Sequence, residues 1–253
     1  MHENVHGSRP ARRSRPLAGA LALLALSSGA GCQRHIFSPP ARTVPLDAPR
    51  VLAPGETAVN VSGSRTDSIL DANVNGGTLG VRRGITERLE IQAEGSGYYV
   101  DADEQPRAPI SRNAVAGRIG AKVALFRRYV SAFGGLGGGH HAAGGFITPD
   151  VGLILGFDNP YFVPFVLGRI GLSQPLGAKT LDLSLGSEPP GTALARPLLS
   201  TYYGFTIGGR LPIEPSGAKV KGAILGGLGV QEIRDKQDSK SGLGLTLGGE
   251  IIF

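Results

Sequence analysis

The sequence predicts an all-β fold, a ten-stranded antiparallel up-and-down transmembrane β-barrel spanning residues 56–253. Three observations predict it. From Glu56 onward, short segments alternate apolar and polar residues; their connections alternate between short and long; and no helix-period stretch longer than two turns follows the N-terminal apolar run. Glycine agrees with this reading: 40 residues lie scattered among apolar runs without a G-X-Y period, as suits strands with tight bends and close backbone approach.

Taken in order, the expected strands are 56–65, 75–84, 88–99, 113–125, 129–139, 148–157, 161–173, 199–210, 218–230 and 241–253. Short joints fall at Gly84–Glu87, Arg127–Arg128, Asp158–Pro160 and Pro212–Gly217. Longer, more polar joints fall at 66–74, 100–112, 140–147, 174–198 and 231–240. Tight turns on one side and long loops on the other are the asymmetry of a barrel with periplasmic turns and external loops. About ten residues rising ~3.3 Å each at a tilt near 40° cover ~25 Å, the height of the apolar band of such a wall.

Alternation assigns two faces. Leu89, Ile91 and Ala93 oppose Glu90, Gln92 and Glu94; Val115, Ile119, Val123 and Leu125 oppose Arg118 and Lys122; Val220, Ile224 and Leu228 oppose Lys219 and Lys221. With the apolar set toward lipid, Arg82, Glu90, Glu94, Arg118, Lys122, Arg169, Arg210, Lys219, Lys221 and Glu250 point into the lumen. Seven of these are basic and three acidic, so the bore is expected either as an ion-paired plug of side chains or as a narrow, anion-favouring pore. The same alternation also suits a soluble periplasmic barrel with its apolar face turned inward around a ligand.

The N-terminus is expected to be removed. Arg12, Arg13 and Arg15 precede the apolar stretch Leu17–Leu26 and then small residues, the order of a secretory signal over 1–31. That stretch is too short to span a bilayer as a helix. Gly29-Ala30-Gly31-Cys32 resembles a bacterial lipobox; Ala30 and Gly31 fit the pattern and Gly29 departs from it. The resemblance implies lipidation at Cys32, the only cysteine. Residues 32–55 carry five prolines and no period-2 pattern, and are expected to be an extended periplasmic linker.

The last strand breaks the tie between membrane and soluble barrels. Thr246, Gly248, Ile251 and Phe253 form a polar, glycine, apolar, terminal-aromatic pattern. It resembles the signal that small bacterial outer-membrane β-barrel proteins present to the barrel-assembly machinery. That resemblance covers 56–253 and implies the outer membrane as location, with lipid and the assembly machinery as partners.

Other chemistry finds little footing. The net charge of +6 falls to +3 once 1–31 are set aside, leaving 22 basic and 19 acidic residues without a basic-aromatic run, which excludes nucleic acid. His140-His141 with Asp101, Asp103 and Glu104 could form a rim hydrolase, but no catalytic motif accompanies them. Two adjacent His side chains do not converge on one metal without a third ligand. Gly134-Gly135 and Gly137–Gly139 lack the strand-to-helix setting of a phosphate loop. The expected role is structural or interactive at the surface, with no catalysis, metal or cofactor.

Overall fold

In lipid, every backbone N–H and C=O needs a partner within the protein, and a sheet closed on itself provides one for each. The computed structural model describes residues 35–67, 73–101, 113–126, 128–213 and 220–253. Ten long strands close a barrel: β1 (Thr57–Asp67), β2 (Asn73–Thr86), β3 (Leu89–Asp101), β4 (Asn113–Phe126), β5 (Val130–His141), β6 (Gly144–Gly156), β7 (Val163–Leu176), β10 (Ser200–Ile213), β11 (Lys221–Arg234) and β12 (Ser239–Ile252). Two-residue strands β8 (Leu181–Asp182) and β9 (Leu194–Ala195) form a separate small sheet inside the β7–β10 loop. Wall strands pair antiparallel with their neighbours, and β1 closes on β12 from Ala58↔Ile252 to Asp67↔Leu243. The expected ten-stranded antiparallel barrel is the fold observed.

The strands outrun several expected loops. The joint expected at 140–147 contracts to Ala142-Ala143, with Gly144 at a φ of 124° that side-chain-bearing residues rarely adopt. Pro149 falls inside β6, as it does in the strand expected at 148–157. It lacks an N–H and sits where the β6–β7 pairing breaks, between Ile147 and Asp150, yet its register with Leu136 of β5 continues. The joint at 231–240 likewise contracts, to residues 235–238.

The wall's two faces follow the alternation. Val61, Leu79, Ile119, Val151, Ile207 and Leu247 are among many exposed apolar residues outside. Phe126, Tyr129, Phe157, Tyr161 and Phe162 gather in the short turns, with Tyr129 5.9 Å from Phe157 and 6.3 Å from Phe126 between ring centroids. An aromatic girdle of that kind marks the rim of a bilayer-spanning barrel.

The main departure concerns the proline-rich segment. Residues 35–52 do not form a linker outside the barrel; they run through its bore and are buried or half-buried throughout. His35 meets Asp235 in the β11–β12 loop. Ser38 meets Ser173 and Ser200. Arg42 meets Glu94 near mid-wall, Asp47 meets Lys122, and Leu52 meets Glu90 close to the short turns. Gly55, with φ 86°, then turns the chain into β1, its N–H bonded to the Gly84 carbonyl. The signal segment expected at 1–31 and Cys32 lie outside the described residues.

A single extended chain fits this bore for a physical reason. Wall strands spend their backbone groups on one another, so the threaded segment has no sheet edge to pair with. Pro39, Pro40, Pro45 and Pro49 bring no N–H, which removes donors that would otherwise be stranded. Segment carbonyls are met by wall side chains instead: Pro39 by Ser173, Ala41 by Tyr98, Thr43 by Arg169 and Gln231, Val44 by Thr246 and Ala48 by Lys122.

Candidate functional site

The bore is where charge collects, and the pleat explains how. On β3 and β4 every second residue faces inward, and the register sets Glu90 beside Lys122 and Glu94 beside Arg118. Toward the short turns, Lys122 Nζ, fully buried, lies 2.8 Å from Asp47 Oδ1 and 3.0 Å from Glu90 Oε1. Arg82 bridges Glu90 at 3.0 Å, Asp47 at 3.2 Å and Glu250, and Arg210 reaches Glu250 at 3.1 Å. At mid-bore, Arg118 forks onto Asp150 with contacts of 2.6 and 3.1 Å, and Arg42 donates to Glu94 at 3.0 Å.

Arg118 stands on β4 and Asp150 on β6, so the guanidinium crosses β5 to reach its carboxylate. Gly135 makes the crossing possible: a Cβ there would strike the Arg118 guanidinium and come within 2.7 Å of the Ile119 carbonyl. The glycine cluster of β5 is thus room for side chains from neighbouring strands. Arg42 and Arg118 also sit over the Phe133 ring, at 5.2 and 6.0 Å from its centroid.

Apolar contacts interleave with the charges. Phe37 packs with Tyr202 and Ile233; Ala41 with Tyr98 and Phe146; Ala48 with Phe133, Ile154 and Phe165; Leu52 with Ala58 and Ile252. Each cluster therefore takes at least one residue from the threaded segment, and Leu46 joins Ala48 in the third. The segment's side chains also press against wall glycines, since a Cβ on Gly229 would lie 2.8 Å from Val44 Cγ1 and one on Gly227 2.8 Å from Leu46 Cδ2.

The ten residues expected in the lumen divide as follows. Arg82, Glu90, Glu94, Arg118, Lys122, Arg210 and Glu250 join the ion-paired network. Arg169 is buried but, among the described residues, has no ion pair with a carboxylate; it donates to the Thr43 carbonyl and lies 5.2 Å over the Tyr202 ring. Lys221 sits at the short-turn rim, 3.3 Å from Glu56. Lys219 lies outside the described residues. The expected basic excess shrinks because Asp150 and Asp47 were missed. Asp150 lies within the strand expected at 148–157, but Val151, Leu153, Ile154 and Leu155 after it are apolar on both faces and do not show which side the carboxylate takes. Asp47 belongs to a segment with no periodicity to assign it a face.

Of the terminal pattern, Thr246 faces inward and donates to the Val44 carbonyl at 3.0 Å. Gly248 lies against Ser62, where a Cβ would come within 2.9 Å of the Ser62 Cβ. Ile251 and Phe253 are exposed on the outer face, and Phe253 pairs by backbone with Thr57. At the rim, His141 lies tilted against Phe146 with ring centroids 5.8 Å apart, and its Nε2 has no hydrogen-bond partner among the described residues. Asp103 and Glu104 lie outside the described residues. No cluster of three metal-ligating side chains occurs among the described residues.

Glu56 clasps the inner end of the segment, accepting from the Ala53 N–H at 2.9 Å and from Lys221. Burial pushes its carboxyl up, but these donors and nearby Arg50 outweigh that and hold it below the usual carboxylate range. A carboxyl lowered by folding contributes stability above the unfolded pKa and loses it as the pH falls through the folded one. Glu56→Gln is therefore expected to flatten the acid limb of the stability-pH curve by less than ~1 kcal/mol, measured by urea titration from neutral pH downward.

A closed sheet with an apolar outside, an aromatic rim and a charged, filled inside is built to span a bilayer, and such barrels belong to the bacterial outer membrane. Among solved structures, the chain is similar to neisserial surface protein A, at 13% identity over 78% of this chain and 94% of that one, with a TM-score of 0.38. It is also similar to the N-terminal β-barrel domain of Pseudomonas aeruginosa OprF, at 13% identity over 76% of this chain and 96% of that one, with a TM-score of 0.33. No protein-family model and no curated protein matches the chain.

Proposed function

We propose that this protein is an integral outer-membrane barrel with a structural or surface-interaction role, sealed by its own N-terminal segment and without catalysis or through-conduction. One observation carries the reading: residues 35–52 occupy the bore end to end and are ion-paired to its wall. An anion-favouring pore needs fixed positive charge lining water. Here most of the cations face carboxylates, Arg169 is directed at the Thr43 carbonyl and the Tyr202 ring, and the cavity between Asp47, Arg82, Arg210 and Glu250 at the inner end holds only about 40 Å³ of water-accessible space.

A soluble periplasmic carrier fits the outer surface poorly, because so much apolar area on one wall face would meet water. A rim hydrolase finds no carboxylate bonded to His141 among the described residues. The test is electrical. Protein that shows the heat-dependent gel shift of a folded barrel is expected to give no current steps in planar bilayers. Regular ohmic steps from that same preparation would refute the sealed reading.

A further inference from the structure

We infer that the chain threads its own barrel from inside to outside, so that His35, the outermost described residue of the segment, stands at the long-loop face, on the exterior of the cell. The inference rests on the outer-membrane reading above, which makes the short turns periplasmic. The path itself is read from the contacts.

From Gly84 and Glu90 at the short-turn end, the segment climbs past Lys122 and Arg82, then Glu94 and Thr246, then Tyr98 and Ser173, in unbroken order. Its outermost described residue, His35, is held 2.5 Å from Asp235, in the connection between β11 and β12. That connection lies at the same end of the wall as the 23-residue β7–β10 loop, 177–199. The antiparallel ladders place both there, because Ser200 pairs with Ser173 and Thr201 with Arg234.

Held there, His35 lies beyond the ~25 Å apolar band that separates this rim from the periplasm, opposite to the periplasmic linker that the sequence suggests. The segment also cannot leave the bore freely, since Asp47 is ion-paired to Lys122 and Arg82 on the way.

The test places one short epitope between Gln33 and Arg34 in the full chain, a second at Pro190–Gly191 in the long loop, and a third after Asn159 in a short turn. Antibody should label intact cells through the first and second, and reach the third only after permeabilisation. Labelling of the 33–34 epitope only after permeabilisation, with the other two behaving as stated, overturns the outward thread alone. Exchange of the Pro190 and Asn159 patterns, or loss of the heat-dependent gel shift, overturns the membrane reading and the thread with it.

A tag-free measurement stands beside it. Ser38 Oγ lies 2.8 Å from Ser173 Oγ at the outer end of the bore. Ser38→Cys with Ser173→Cys, in a Cys32→Ser chain, should form a disulfide that changes gel mobility without reductant. A folded barrel that keeps both thiols free would sink the proposal.

Discussion

Replacing Lys122 with Met is expected to destabilise the protein by about 3–5 kcal/mol, the cost of leaving buried carboxylates without their cation. Lys122 Nζ has no exposed surface and bonds Asp47 Oδ1, Glu90 Oε1 and the Ala48 carbonyl, at 2.8, 3.0 and 3.1 Å. Met keeps the length and apolar stem but removes the charge, so packing changes little and the loss is electrostatic. Arg82 stays bonded to both carboxylates and limits the damage. Reversible urea titration in lipid vesicles reads the effect. Asp47→Asn in the same chain should recover part of it, because the site then holds one fewer unmatched charge. A cost below ~1 kcal/mol would place the pair in solvated surroundings, where ion pairs contribute little, and would contradict a dry, filled bore.

Gly244→Val is expected to push the threaded segment off the wall. A Cβ at Gly244 would lie 2.5 Å from Val44 Cγ2 and 2.7 Å from Thr66 Oγ1, and the wall side cannot yield without breaking the β1–β12 ladder. Overpacking of this kind costs about 1–3 kcal/mol. The Val44 carbonyl would also lose its bond from Thr246. The expected result is a barrel that keeps its heat-dependent gel shift while residues 35–52 become open to protease and current steps appear. Val44→Ala in the same chain removes the colliding methyls and should restore protection. If Gly244→Val alone stays protected and silent, the segment does not lie against β12 as described.

Much of the wall was readable from residue order. Leu89-Glu90-Ile91-Gln92 and Arg118 to Lys122 declare their faces because a pleated strand alternates sides with period two, a property of neighbouring residues. Strand ends were less readable. Gly144 to Ile147 fall in an expected loop, yet register with β5 carries them into β6. Gly135 reads only as a strand glycine, and the fold makes it the space through which Arg118 reaches Asp150.

The sequence by itself determined a membrane-spanning barrel of ten strands, its outer and inner faces, and most of the charges in its bore. Only the tertiary structure decided what fills that bore. Residues 35–52 are surrounded by wall, so nearly every side chain is at least half-buried and no apolar-polar period can mark a face. Five prolines among residues 33–55 then suggest an exposed linker, when four of them suit a chain that has no sheet edge to bond. The carboxylate of Asp47 acquires its meaning only beside Lys122 and Arg82, 75 and 35 positions away. Such pairing belongs to the closed fold and leaves no local trace in the order of residues.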